Sequence, residues 1–170
     1  MTRINKRQKG EVGMSQDTHL DSEGIPYRPA YRLLTGSLAG AILLEELECQ
    51  FSTRPDGFFR FLEPAPNNRF YRTGGSWKEA LAFSKQQFRI AFDRIGIRYK
   101  SKTAFEQDGT PFARPEGGEA MYASYTDHRE GLTYYLRNHA LADRLLEAVN
   151  SEVSDEGAYQ TKHTNETWSN

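Results

Sequence analysis

The residues of this sequence that are best suited to chemistry are lysines and arginines concentrated in one segment. Between Arg69 and Lys102, nine basic residues stand against two acidic ones, a local net charge of +7, whereas the whole chain carries −1. Basic side chains that bind a phosphate chain release its condensed counterions, which favours association. The segment therefore indicates a surface for a polyanion; the alternative is an ordinary solvated basic face of a helix.

Two helices with well-marked first residues would carry much of this charge. Ser76-Trp77-Lys78-Glu79 and Ser84-Lys85-Gln86-Gln87 both match a capping box, in which the serine and the residue three positions later exchange hydrogen bonds. Because the boxes begin eight residues apart, the first helix has only a turn or two. The second ends at Gly96, a natural residue for a helix end, and has one apolar stripe. The stripe consists of Phe88, Ala91, Phe92 and Ile95. We predict a helix-turn-helix with its corner near Ala82 and Phe83.

After Gly96 the apolar residues alternate with charged ones, which is typical of a strand. Ile97, Tyr99 and Phe105 alternate with Arg98, Lys100 and Lys102, so a strand would present the three charges on one face. A loop rich in glycine and proline follows from 107 to 118, and residues 121–125 and 132–137 are predicted strands of a hairpin. A helix-turn-helix followed by hairpin strands is the order of a winged helix.

The flanking segments complete an α+β fold. Ser37 is expected to cap a largely buried helix whose acidic edge faces water and which ends before Arg54-Pro55. The segment 58–62 is either a short strand or a helical turn. Asn138 is expected to cap a last helix that ends at Asn150. The inner side of that helix would consist of Leu141, Leu145, Ala148 and Val149. We therefore predict a winged helix-turn-helix with a β wing and a C-terminal helix.

The 170 residues suggest one domain with loose ends. Residues 1–25 and the acidic residues 151–170 are polar and should be disordered, which leaves 26–150 as the winged-helix domain. The longest apolar stretch, Leu38 to Leu44, is far shorter than the roughly 20 residues that span a bilayer. No signal peptide opens the chain, and Cys49 is its single cysteine. These features favour a cytoplasmic protein that does not bind a membrane.

Enzymatic sites are hard to find in the sequence. No nucleophile lies in a recognisable setting with a base, and Thr73-Gly74-Gly75-Ser76 lacks the lysine of a phosphate-binding loop. His128 and His139 are isolated, and the tyrosines at 122, 125, 134 and 135 suit sheet packing better than catalysis. We therefore expect a non-enzymatic protein without cofactor or metal.

If the apolar stripe of the second helix faces inward, its polar side is available to contact a double helix. Glutamine pairs with adenine, arginine with guanine, and an exposed isoleucine can contact a thymine methyl group. The residues expected to contact base edges are Lys85, Gln86, Gln87, Arg89 and Ile90. Lys78 and Arg94 would contact phosphates, and Arg98, Lys100 and Lys102 would lie on the wing side. Arg114 and Arg129 are weaker candidates at loop tips.

Several of these segments together resemble a known group of domains. The segments are Leu34-Thr35-Gly36-Ser37 before a buried helix, Phe70-Tyr71-Arg72, the two capping boxes with Phe83 and Phe88, and Thr133-Tyr134-Tyr135-Leu136-Arg137. They resemble the winged-helix domains of phage and plasmid replication proteins and related mobile-element proteins. The resemblance implies sequence-specific binding of double-stranded DNA through Lys85, Gln86, Gln87 and Arg89. Many such replication proteins continue into a domain that recruits a helicase or its loader, whereas only an acidic segment follows here.

The expectation is therefore a DNA-binding regulator of transcription, or a replication accessory, encoded by a phage or plasmid. A second copy of the chain, or a replication or transcription protein, would be a further partner. The alternative is a winged-helix module that binds a protein, as an adaptor or inhibitor. A structural component of a larger assembly is a third reading. A steep fall of DNA affinity with salt would favour the first of these.

Overall fold

In a computed structural model of the protein, the backbone of residues 27–164 and the side chains of residues 27–151 are described. The predicted disordered segment 1–25 lies outside these residues. Six helices and four strands occur in the described part of the chain. In chain order they are α1 (Tyr31–Thr35), α2 (Leu38–Thr53), β1 (Phe58–Phe59), α3 (Trp77–Leu81), α4 (Lys85–Ile95), β2 (Gly96–Tyr99), α5 (Lys102–Gln107), β3 (Tyr122–Asp127), β4 (Leu132–Arg137) and α6 (His139–Thr164). The predicted α+β class is confirmed.

The strands form one mixed sheet in the order β1-β4-β3-β2. β4 is antiparallel to both β1 and β3, as expected for a hairpin, whereas β2 pairs in parallel with β3. The basic strand after α4 is therefore an edge strand, and the hairpin is formed by β3 and β4. For the segment 58–62 the sequence left a short strand and a helical turn as alternatives. The segment forms the short strand β1 and a bridge between Phe61 and Ser76.

Side-chain caps fix where the helices begin, as the sequence predicts. The hydroxyl of Ser37 accepts from Gly40 N, and both capping boxes, at Ser76 and at Ser84, are complete. α3 ends at Leu81, and the next residue, Ala82, has a positive φ of 55° and forms the tight corner before α4. Two capped helices joined by a tight corner, α3 and α4, are therefore present at the predicted residues.

The strand predicted after Gly96 is wrong beyond Tyr99. Gly96 is extended rather than left-handed, so β2 begins immediately after α4 with no intervening loop. The strand then gives way to α5, because the hydroxyl of Ser101 accepts from Ala104 N and caps a new helix. Lys102 is consequently the first residue of a helix and does not continue the charged face of the strand.

The core is largely aromatic and lies between the helices and the sheet. The Trp77 ring is completely buried and stacks on Phe88 with centroids 5.2 Å apart. Tyr135, which is also fully buried, packs edge-on against Trp77 at 5.5 Å and against Phe92 at 5.7 Å. Three leucines of α2 close the other side of the core: Leu43, Leu44 and Leu47. The apolar stripe of α4 is buried in full, so the helix is oriented as predicted.

Two expectations about the flanking helices need correction. The acidic edge of α2 does not face water, because its glutamates pair with arginines from other parts of the fold. Glu45 is buried 3.3 Å from Arg28, and Glu46 lies 2.9 Å from Arg60. In α6, Ala148 is exposed, since Leu146 and Ala142 occupy the inner side instead. The helical backbone of α6 also continues past Asn150 to Thr164.

Candidate nucleic-acid interface

The outer side of α4 is polar and exposed along its whole length. Gln86, Arg89 and Asp93 are exposed and follow one another at helical spacing. Ile90 lies beside them with 55% of its surface exposed. Because Phe88, Phe92 and Ile95 hold the opposite side of the helix in the core, this side cannot turn inward without unfolding the domain.

A cleft of about 400 Å³ opens between α4 and the sheet. Its basic lining residues come from α4, from β2 and from the turn of the hairpin; they are Arg89, Arg98, Lys100 and His128. Its hydroxyl-bearing lining residues come from β3 and β4, and include Ser124, Thr126, Thr133 and Tyr135. Cations and hydroxyl groups are the side chains that bind phosphate oxygens in proteins. The cleft therefore extends the polar side of α4 with groups suited to an anion.

Strand register explains why these residues meet. Arg98 in β2 is opposite Ser124 in β3, which is opposite Tyr135 in β4. These three residues share the sheet face that packs on the helices, and the register partners Thr126 and Thr133 hold the next position along that face. Lys100 follows directly after the end of β2. The parallel pairing of β2 with β3 thus brings the basic strand alongside two hydroxyl-rich strands.

Tyr135 places an unpaired polar atom in this region. Its side chain is fully buried, and its hydroxyl has no hydrogen-bond partner among the described residues. Burial raises the pKa of Tyr135 above its ordinary value. The phenol therefore remains neutral and keeps a hydrogen to donate at any physiological pH.

Asp93 is the only acidic residue of α4, and Arg98 neutralises it. The Arg98 guanidinium donates to both carboxylate oxygens of Asp93, with Nη2 at 2.7 Å from Oδ2. This hydrogen bonding raises the pKa of Arg98. The pair removes a carboxylate charge that would repel a phosphate chain, and it leaves Arg98 with less capacity for a ligand of its own.

Other predicted residues are occupied by contacts within the fold. The Gln87 side chain accepts from Ser84 N at 2.9 Å, so its carbonyl oxygen serves the cap. Arg94 extends towards α1 and donates to the carbonyl of Thr35 at 3.3 Å. Lys78 lies 3.7 Å from Glu63, and Lys102 lies 3.8 Å from Glu106. The predicted residues that the cleft and the outer side of α4 bring together are Lys85, Gln86, Arg89, Ile90, Arg98 and Lys100.

Arg114 lies at a position that the amino-acid sequence did not predict. Instead of projecting from a loop tip, its guanidinium donates to the carbonyls of Asp93 and Arg94, each at 3.1 Å. A cation bound to the last carbonyls of a helix stabilises that end. Arg114 therefore anchors the C-terminal end of α4.

His128 and the cleft hydroxyls were missed from the sequence. The ring of His128 is hydrogen-bonded at Nε2 to the carbonyl of Lys100, 2.8 Å away. The two residues are far apart along the chain, and only the β2–β3 pairing brings them together. A hairpin turn with a histidine was visible in the sequence, but nothing local indicated its neighbour.

Comparison with known proteins identifies no relative of this chain. No family model, no curated protein and no solved structure matches the chain. Within the described residues, no group of three or more histidine, cysteine, aspartate or glutamate side chains could hold a metal ion. In the same part of the chain, no helix has the length and apolar character needed to cross a bilayer.

Proposed function

We propose that the protein binds double-stranded DNA in a sequence-specific manner, with α4 as the recognition helix of a winged helix-turn-helix. The observation that carries this proposal is the exposed polar side of α4 beside the cleft of Arg89, Lys100 and His128. A helix of this size fits the major groove, and the cations at its side reach the phosphates.

The order of elements supports the winged-helix interpretation. α2, β1, α3, α4 and the β3–β4 hairpin follow one another, and β1 pairs with β4 as the third strand. β2 and α5 are then an insertion between the recognition helix and the hairpin. The tip of the hairpin carries His128 and Arg129, both exposed, and these take the place that the sequence had assigned to a wing with Lys102.

Each exposed residue of α4 has a definite role in this proposal. Gln86 and Arg89 contact base edges, and Ile90 packs against a thymine methyl group. Lys85 and Lys100 contact phosphates, which position the protein without reading sequence. A role in transcription or replication of a phage or plasmid rests on the resemblance of the sequence segments alone.

The decisive experiment selects a target duplex and then compares the DNA affinities of the wild type and of matched variants. A preferred duplex is selected from random sequences, and its affinity is measured by fluorescence anisotropy across a salt series. Arg89→Ala should weaken the selected duplex by about 1–3 kcal/mol and relax the preference at one base pair. Lys100→Ala should weaken all duplexes alike and reduce the slope of log K against log salt by about one.

The control is Arg144→Ala, which removes an exposed arginine from α6 and should change neither quantity. If Arg89→Ala and Lys100→Ala bind every duplex as the wild type does, α4 is not the recognition helix.

One observation favours the alternative of a protein-binding module. Leu33 and Leu38, on either side of the turn at Gly36, are 64% and 51% exposed. Exposed leucines of this kind suit a protein contact. A DNA affinity that does not change with salt, together with a partner lost in Leu33→Ser, would favour this second function.

A further inference from the structure

The face of the sheet opposite the cleft carries a row of aromatic residues, one from each strand. Phe59 of β1 is opposite Tyr134 of β4, Tyr134 is opposite Tyr125 of β3, and Tyr125 is opposite Tyr99 of β2. Neighbouring rings are close, with centroids 6.0 Å apart for Phe59 and Tyr134 and 5.3 Å for Tyr134 and Tyr125. Register partners point to the same side, so the four rings form a continuous aromatic surface.

Only part of this row is covered by the chain itself. Phe105 of α5 stacks on Tyr125 at 5.1 Å and meets Tyr99 edge-on at 5.3 Å. The rings at the β1 and β4 end instead line a cavity of about 800 Å³. Phe59 is 39% exposed there, and Phe70 stands across from it with centroids 6.2 Å apart. The volume is within the roughly 300–1,000 Å³ typical of small-ligand sites.

Three arginines surround this aromatic cavity: Arg54, Arg60 and Arg72. Arg60 is neutralised by Glu46. Arg54 donates to the Gln50 amide at 2.7 Å, and Arg72 donates to backbone carbonyls of its own loop. Among the described residues neither has a carboxylate partner.

One acidic residue, Asp56, also lines the cavity. Two guanidinium groups without a carboxylate partner against one carboxylate leave the site positively charged, so it complements an anion.

The loop that forms one wall is held rigidly. The Glu79 carboxylate accepts hydrogen bonds from Gly74 N at 3.1 Å, from the Tyr71 hydroxyl at 2.6 Å and from Ser76 N and Oγ. These bonds, chiefly those from Ser76 and Tyr71, lower the pKa of Glu79 to about 2. The carboxylate stays charged at neutral pH and ties Tyr71, Gly74 and Ser76 together, so it restrains the loop on both sides of Arg72.

We propose that this cavity binds a nucleotide unit of a single-stranded nucleic acid. A base packs on the exposed ring of Phe59, beside Tyr134, whose own face is already stacked on Tyr125. Its phosphate is held by Arg54 and Arg72. Stacking on aromatic rings beside a basic border is how proteins bind single strands with little sequence preference. The site is separate from the proposed recognition helix, because no residue of α4 lines this cavity. An apolar peptide would leave both guanidinium groups without a partner, so the charge favours the nucleotide.

The test measures binding of a short fluorescein-labelled oligothymidylate to the full chain by anisotropy. Phe59→Leu should weaken binding by about 5- to 150-fold, the range that one stacked base contributes. Arg72→Gln should weaken binding and make it less sensitive to salt, because one phosphate contact is lost. Thermal unfolding followed by circular dichroism confirms that both variants are folded; Arg72 is exposed, so its variant should melt as the wild type does.

The two proposals are separated by the variant Arg89→Ala. It should leave oligothymidylate binding unchanged while it weakens the selected duplex, and Arg72→Gln should do the reverse. Thymidine monophosphate is tested as a competitor of the labelled oligomer. If it competes as strongly as the unlabelled oligomer does per binding site, the ligand of the cavity is a free nucleotide. No binding of either probe would overturn the proposal. The proposal would also be overturned if Arg89→Ala abolished oligothymidylate binding while Phe59→Leu and Arg72→Gln left it unchanged.

Discussion

At the scale of single residues, local chemistry determined what the sequence could predict. The serines at 76 and 84 act on backbone groups three residues away, so their caps are visible without knowledge of the fold. Ser101 makes the same kind of bond, but it follows an alternating stretch that favoured a strand. A helix forms at Ser101 because the pairing of β2 with β3 ends at Tyr99, so the residues after it have no strand partner.

Trp77 is the residue on which the core depends most. Its ring contacts Phe88 and Tyr135, and the Arg60 guanidinium lies 4.7 Å from the ring centroid. Trp77→Ala should lower the free energy of unfolding by about 3–5 kcal/mol, because it leaves a cavity among rigid rings. Urea denaturation measures this change, and Trp77→Phe should cost less. A midpoint equal to that of the wild type would contradict the packing described.

Glu79 should make stability depend on acid. Its folded pKa of about 2 lies below the value of about 4.3 for an unfolded glutamate. The charged form is therefore favoured by folding, and its contribution is complete above the unfolded value and is lost as the pH falls towards 2. Glu79→Gln should lower the melting temperature at pH 7, and the difference from wild type should shrink steadily between about pH 4.5 and pH 2. A difference that is constant with pH would exclude this linkage.

At the scale of elements, α4 could be predicted almost completely and its surroundings could not. The stripe of Phe88, Ala91, Phe92 and Ile95 fixed its inner side, and this followed from a period of 3.6 residues. The cleft beside it depends on β2 pairing in parallel with β3, which is a contact between distant segments. No local pattern distinguishes that arrangement from a longer basic wing, so His128 and the hydroxyl groups escaped notice.

The pairing of Asp93 with Arg98 limits the charge available to a phosphate chain. In Asp93→Asn the carboxylate charge is removed and Arg98 is released. If α4 binds duplex DNA, affinity should increase at low salt and the slope of log K against log salt should steepen by about one. Asp143→Asn removes a carboxylate of α6 that is likewise paired with an arginine, Arg137, at 2.7 Å, and is the matched control outside α4 that should not change the duplex slope. Weaker duplex binding by Asp93→Asn would show that the ion pair positions α4 rather than restraining its charge.

At the scale of the whole molecule, the basic segment of the sequence is divided between two faces. Lys85, Arg89, Arg98 and Lys100 lie along α4 and the cleft, whereas Arg72 borders the aromatic cavity on the other side of the sheet. The count of charges predicted one polyanion surface, since charge along a chain carries no information about faces. The tyrosines were correctly assigned to the sheet, but the row that they form depends on a four-strand register.

If both proposals hold, the two faces should bind independently. A saturating unlabelled duplex should then leave the affinity for labelled oligothymidylate unchanged, because α4 and the aromatic cavity are separated by the sheet. Arg89→Ala, which should bind the selected duplex more weakly by about 1–3 kcal/mol, is the control for non-specific displacement at a duplex concentration that saturates only the wild type. Full competition between the two ligands would indicate one shared surface.

The direct junction of α4 and β2 limits how the molecule can adapt. Gly96 follows Ile95 with no connecting turn, and a Cβ atom at Gly96 would lie 2.5 Å from the Phe92 ring. The helix therefore cannot tilt or slide without shearing the sheet edge that is continuous with it. In a complex with duplex DNA, any mismatch in curvature would have to be taken up by the nucleic acid, and sequences that bend at low energetic cost would be preferred even where no side chain touches them.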